Sequence, residues 1–306
     1  MNIAYLEPLA KSFDRMKKAL FKPFDAGKWF VVGFTAWLAG LLSSGFNFSG
    51  GNGGSIGDLG DLGNGFHQAV DWLGNHPGWV LLIIALVLLG MAVVVVLTWL
   101  SSRGRFLFLD NVVHDRALVK EPWQKFKAQG NSLFAFRICF GLAVFLFIVA
   151  YLVAAFLIGA SVYASAHDSA PFVLTVLALV MCLLPFILIT VYITFFLDKF
   201  VVPLMYQNEI KVMAAWREFF GILRLHPLHF LLFGLFFFCL RILIFSAVII
   251  TGCLTCCLLF LFLLIPYIGA VVALPVSYTL RALSLEYLDQ FGPEYRIFPA
   301  AVEEID

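Results

Sequence analysis

Charge is scarce in this sequence. Asp, Glu, Lys and Arg together make up 13% of its 306 residues, about half their share in a soluble domain. With 62% hydrophobic residues, the chain belongs in a lipid bilayer. Catalytic constellations are missing as well: there is no nucleophile–base pair, zinc signature, phosphate-binding loop or haem motif. The segments between apolar runs are too short for a soluble catalytic domain. These absences favour a protein that is not an enzyme and that carries no cofactor or metal. The N-terminal MNIAYLEPLAKSFDRMKKALFKPFD is too charged for a cleaved signal peptide. The first span is expected to act as the insertion signal. Six cysteines (Cys139, Cys182, Cys239, Cys253, Cys256 and Cys257) lie in or beside apolar runs. They read as small packing residues, not as a disulfide framework.

What the chain does have is long apolar runs. A spanning helix needs about 20 mostly apolar residues, and six segments qualify. They are Trp29 to about Gly45, Trp79 to Leu100 with a continuation to about His114, and Leu133 to about Ala164. Pro171 to Leu197, Leu228 to about Thr251 and about Cys256 to Leu288 complete the set. Several exceed a straight crossing and must tilt, kink or project into water. Of the 20 Lys and Arg residues, 18 fall before span one, between spans two and three, between spans four and five, or in the C-terminal part from Arg281 on. The connections at 46–78, 165–170 and about 252–255 hold none. The positive-inside rule then predicts a prokaryotic inner-membrane protein with both termini cytoplasmic.

The spans group into hairpins. WQKF at Trp123 is followed 93 residues later by WREF at Trp216, and Gly141 and Gly234 each lie 18 residues beyond their Trp. The expected architecture is all-α: six transmembrane helices as three parallel hairpin repeats, about 1–117, 118–205 and 206–292, with a cytoplasmic tail at 293–306. Each repeat opens with a cytoplasmic amphipathic segment. In the first, Leu6, Leu9, Phe13, Met16 and Leu20 share one helical face, as in an interfacial helix. Each hairpin ends on Leu-Asp, at Asp110, Asp198 and Asp289. These carboxylates are either helix stops with local ion pairs or a ring able to hold a cation. A parallel repeat differs from the inverted repeats of alternating-access transporters.

Other features carry possible chemistry. Arg241 lies about 20 Å into span five at 1.5 Å per residue, in the outer half of the bilayer, and needs a partner there. The options are a helix carbonyl, a hydroxyl such as Tyr267 or Ser246, or a lipid phosphate. Arg137 begins span three and can snorkel. In span six, Pro266, Gly269 and Pro275 could break the helix and free carbonyls for an ion. Pro185 in span four stands at a similar distance from its Asp. His226 and His229 have helical ligand spacing but no third ligand, and they read as interfacial caps. The glycine-rich tract GFNFSGGNGGSIGDLGDLGNGF reads as an outer loop, followed by a short helix from Phe66 to Leu73. GCLTCC, at 252–257, is either a small-residue turn or an outer disulfide.

The stretches FKPFDAGKWFVVGFTAWLAGL and FVVPLMYQNEIKVMAAWREFFGILRLHPLHFLLFGL resemble prokaryotic polytopic membrane proteins similar to the membrane domain of glycerophosphodiester phosphodiesterases. The phosphodiesterase barrel and its acidic metal ligands are absent. The resemblance therefore implies a lipid-associated membrane module and no catalytic residue. Three functions are open. The first is a non-enzymatic scaffold or accessory subunit. The second is a channel or transporter for an ion or lipid. The third is a lipid-modifying enzyme. The expected partners are membrane lipids, other membrane proteins or a second copy of the chain, and not nucleic acid.

Overall fold

The computed structural model describes residues 3–41, 72, 76–165, 169–255 and 258–299, which are helical with no strand among them. In lipid, backbone polar groups must be satisfied within the segment, and long apolar runs therefore fold as helices. α1 spans Leu6–Phe21, α2 Ala26–Gly40, α3 Pro77–His114, α4 Lys120–Lys125 and α5 Lys127–Ser165. α6, Ser169–Phe196, runs through a π-helical turn, Leu197–Val201, into α7, Val202–Gln207. α8 is Val212–Leu225 and α9 is Pro227–Leu254. α10 (Leu258–Leu264), α11 (Pro266–Val272) and α12 (Leu274–Asp289) complete the helical order. Proline in the first turn starts α3, α9, α11 and α12, where a missing N–H has no cost. Asp25 caps α2 by accepting from the Gly27 amide at 2.8 Å.

The buried core lies at one end of the helices. It is built from the last turns of α3, the π turn and α7, α8, the start of α9, and α12. Phe200 stacks on Phe219 at 5.4 Å between ring centroids and meets Phe230 edge-on at 5.0 Å. Phe233 stacks on Tyr287 at 4.0 Å. α2 crosses α3 so closely that a Cβ on Gly104 would lie 2.7 Å from the Ala39 nitrogen. Small residues at such crossings let backbones approach. The Ser101 hydroxyl donates to the Ala39 carbonyl there, at 3.0 Å.

α1 belongs to this head. It packs along α12, where the Arg15 guanidinium meets the buried Glu286 at 2.5 Å and Ala4 and Gln290 exchange two hydrogen bonds. Its buried stripe is Pro8, Ser12, Met16, Ala19 and Leu20, whereas Leu6 and Phe13 are exposed. The expected interfacial face is thus rotated. Ser12 enters the core because its hydroxyl donates to the Pro8 carbonyl at 2.6 Å and needs no other partner.

Beyond the head the helices extend as apolar arms. Among the described residues four helices are long and apolar enough to cross a membrane, starting at Gly78, Lys127, Pro171 and Pro227. In the first three, no residue of the central apolar window is buried. The bent pair α11–α12 makes a fifth if counted as one crossing, with 64° between its halves. The other expected crossings fall on α2 and on the segment from α10 to α12. α2 holds 15 residues, about 22 Å of helix, which is short of the roughly 30 Å hydrocarbon core. The last expected span is divided at Ile265 and Ala273. Pro185, by contrast, sits inside an unbroken α6, so its likeness to Pro275 does not extend to geometry. The described cysteines, Cys139, Cys182, Cys239 and Cys253, are exposed, not packed within the chain. Cys256, Cys257, the glycine-rich tract and the tail from 300 on lie outside the described residues.

Candidate functional site

The segment FLDKFVVP, 196–203, forms the centre of the charged site. Proline has no N–H, and in an α-helix its ring collides with the carbonyl four residues earlier. At Pro203 the chain avoids that collision by widening one turn, so that the Val202 amide bonds back to Leu197. In this register the Asp198 carbonyl faces Pro203 and finds no amide donor. Arg281 of α12 supplies the missing donor, at 2.8 Å. π turns of this kind concentrate at functional sites.

The Asp198 carboxylate is surrounded by cations. Arg105 Nη1 of α3 lies 2.9 Å from Oδ1, Lys199 Nζ 3.4 Å from Oδ2 and Arg281 Nη2 3.5 Å from Oδ1. The side chains of Arg105, Lys199 and Arg281 are 8%, 10% and 5% exposed, while Asp198 opens to 26%. Arg105 Nε is buried and has no hydrogen-bond partner. Beside the cluster, Arg137 of α5 donates to the Ser101 and Ser102 hydroxyls, each at 3.2 Å. Lys199 Nζ sits 4.7 Å from the Phe237 ring centroid, and the Arg241 guanidinium lies 5.9 Å from the same ring, both within cation–π distance.

This arrangement changes the reading of Arg241. The first turns of α9 are enclosed by the head, with Phe230, Phe233 and Phe237 buried. Arg241 is therefore one turn beyond the head, beside the Lys199 cluster. Tyr267 is occupied elsewhere: its hydroxyl donates to the Phe30 carbonyl at 3.0 Å, and its ring packs among Phe30, Phe34 and Trp37 of α2. The helix break at Pro266 and Pro275 also turns toward α2. The Val271 carbonyl accepts from the Trp29 indole at 3.1 Å, and Gly269 allows α11 to fold against the Leu263 carbonyl.

The three Leu-Asp carboxylates have different surroundings. Asp110 is buried, accepts from Arg116 at 2.9 and 3.1 Å, and takes the Tyr206 hydroxyl at 2.9 Å. Partial burial works against the Arg116 charge, but the hydrogen bond and charge of Asp110 outweigh it and raise the Arg116 pKa. Asp289 pairs near the surface with Arg296 at 3.1 Å. It lines a groove of about 320 Å³ with Lys11, Arg15, Glu286 and Phe298. A hydrogen bond to Glu7 raises the Lys11 pKa on the rim. Among the described residues no group of three His, Cys, Asp or Glu side chains converges to hold a metal. His226 and His229 meet each other edge-on at 5.8 Å, and His226 lies against Phe291.

Trp123 and Trp216 also differ. The Arg103 guanidinium lies 5.0 Å from the Trp123 ring and 4.5 Å from the Trp99 ring, the two rings meeting edge-on at 5.8 Å. Trp216 is buried against Phe219 and Phe220. A Cβ on Gly141 would meet open space, whereas one on Gly234 would meet Tyr192.

Sequence reading counted Arg105, Lys199 and Arg281 as loop or tail cations and so missed the cluster. A signal was present. Arg281 lies within TLRALSLEYLD, flanked by leucines inside the segment read as reaching Leu288. A cation on an apolar helix face is expected to have a buried partner.

Residues 4–296 match the model of a family of unknown function (DUF7544), and the chain belongs to that family. No curated protein and no solved structure matches it.

Proposed function

We propose that this DUF7544 member is a non-enzymatic integral membrane scaffold that binds lipid. The observation that carries the reading is the division of the chain. One end has a packed core and nearly all the ion pairs. The arms expose continuous apolar surface, including Leu81 to Val96 of α3 and much of α5 and α9. A surface of that extent is stable only against acyl chains or other apolar helices. In this reading α2 and the α10–α12 segment complete six crossings as three parallel hairpins. Both termini face the cytoplasm of a prokaryotic cell, as the cation distribution favours. The likeness to phosphodiesterase membrane domains fits a shared lipid-facing role without shared chemistry.

Reconstitution tests the reading against transport. Proteoliposomes containing the protein are expected to pass neither small ions nor fluorescent lipids above the protein-free rate. Robust flux that disappears in Arg241→Ala would replace the scaffold with a channel or transporter. A Cys placed in the glycine-rich tract of a Cys-free variant is expected to react with an impermeant reagent added to intact cells. Reaction with a permeant reagent alone would reverse the topology.

A further inference from the structure

The charge balance around Asp198 points to a ligand. Arg105, Lys199 and Arg281 converge on a single carboxylate, which leaves two positive charges without a counter-charge. Arg137 and Arg241 stand beside them. Among the described residues neither forms an ion pair: Arg137 has two serine hydroxyls and Arg241 the Phe237 ring. Desolvating cations without an anion costs several kcal/mol each. Among the described residues the other two buried carboxylates, Asp110 and Glu286, do not offset this, because they are already paired with Arg116 and Arg15. A buried guanidinium N–H of Arg105 is also left without an acceptor. We infer that the seam between Arg105, Lys199, Arg281 and the mouth residues Arg137 and Arg241 binds a phosphate-bearing anion.

Three features select phosphate. Guanidinium groups present paired donors that match phosphate oxygens, and several arginines around one site give directional recognition that ammonium groups alone do not. Arg105, Lys199 and Arg281 are largely buried, whereas Asp198 is 26% exposed and Arg137 is half-buried, and these two are where an anion would approach. The opening lies where buried core gives way to exposed apolar helix on α5, α6 and α9. A phosphodiester whose acyl chains follow those helices therefore fits the surroundings, and a free phosphate satisfies the same donors. The inference rests on the reading of the protein as a lipid-binding membrane scaffold and narrows it to one headgroup chemistry at one place.

The test uses the full chain, delipidated in detergent and returned to nanodiscs, with bound lipid read by native mass spectrometry. The probes are phosphatidylglycerol, phosphatidylcholine and inorganic phosphate. The wild type is expected to prefer phosphatidylglycerol to phosphatidylcholine by at least tenfold. Arg137→Gln/Arg241→Gln, changed only at the mouth, should lose most of that preference. Asp198→Asn removes the competing carboxylate and should strengthen anion binding several-fold, whereas a purely structural ion pair would leave binding unchanged. If Asp198→Asn does not fold, the mouth variant decides alone. Displacement of phosphatidylglycerol by millimolar phosphate would identify the free ion as a sufficient ligand. Resistance to displacement would identify the lipid. A phosphatidylglycerol preference unchanged in the mouth variant, or absent in the wild type together with no phosphate binding, overturns the inference. Neither result alters the flux measurement, so the scaffold reading stands or falls separately.

Discussion

Arg281 should be the most sensitive position in the head, and the reason lies in Pro203. The Asp198 carbonyl has no amide donor because residue 203 is proline, and Arg281 Nη1 supplies one at 2.8 Å. Arg281→Met keeps the side-chain length and removes every donor. A buried carbonyl left unsatisfied costs about 1–3 kcal/mol. Asp198 keeps Arg105 at 2.9 Å and Lys199 at 3.4 Å, so the roughly 3–5 kcal/mol expected for a fully broken buried pair does not apply. The net loss should be about 2–3 kcal/mol by the carbonyl penalty and the charge-assisted bond together. The measurement is unfolding in mixed micelles titrated with sodium dodecyl sulfate, followed by tryptophan fluorescence. Pro203→Ala provides the control, because it restores an N–H that can reach the same carbonyl. Arg281→Met should then cost about 1 kcal/mol less in the Pro203→Ala background, a coupling within the range for residues sharing one network. Equal costs in both backgrounds would refute the link between the proline, the π turn and the arginine.

Two further changes probe the head. Gly104→Ala places a Cβ 2.7 Å from backbone atoms of Leu38 and Ala39. It should cost about 1–3 kcal/mol as overpacking, whereas Gly141→Ala, which meets open space, should stay within about 0.5 kcal/mol; thermal unfolding followed by tryptophan fluorescence separates the two. Trp29→Phe removes the donor to the Val271 carbonyl, costing about 1–2 kcal/mol, and should speed hydrogen exchange in α11 without changing exchange in α8.

Sequence reading was sound where one physical signal dominates. Apolar length alone locates α3, α5, α6 and α9, because a run of that composition has no other stable state in lipid. Amphipathic spacing finds α1 and α8 as elements, yet it misplaces the α1 face, since Ser12 and Ala19 enter the core while Phe13 is exposed. The end of the expected first span, from residue 42 on, lies outside the described residues. The cluster at Asp198 was half legible. The Asp stood out at the end of an apolar run, but its partners come from positions 105 and 281, and no local periodicity joins helices so distant in sequence. The π turn could have been suspected from Pro203, five residues beyond Asp198 within a continuous apolar helix. Equivalence of the three Leu-Asp ends was drawn from spacing alone, and their different cation partners are properties of tertiary packing.

The position of the charges also explains the lengths of the helices. α3 has 38 residues, about 57 Å at 1.5 Å per residue, nearly twice the hydrocarbon thickness. The excess needs no unusual tilt. On α3 the exposed stretch ends near Leu97 and burial begins at Thr98, so the arm from Pro77 is about 31 Å long. That matches a bilayer core, and the remainder of the helix is head. On α9 the head-side burial ends at Phe237, with only Gly252 buried beyond it, leaving an arm of about 26 Å to Leu254. Arg103, Arg105, Asp198 and Lys199 fall on the head side of this boundary, and Arg241 lies one turn past it. Charged side chains are costly in hydrocarbon and hydrated at its edge, so on the proposed membrane reading the boundary between head and arm would coincide with the level at which headgroups begin. On that reading a lipid phosphate and the uncompensated arginines would meet at one depth, without either having to leave the interface.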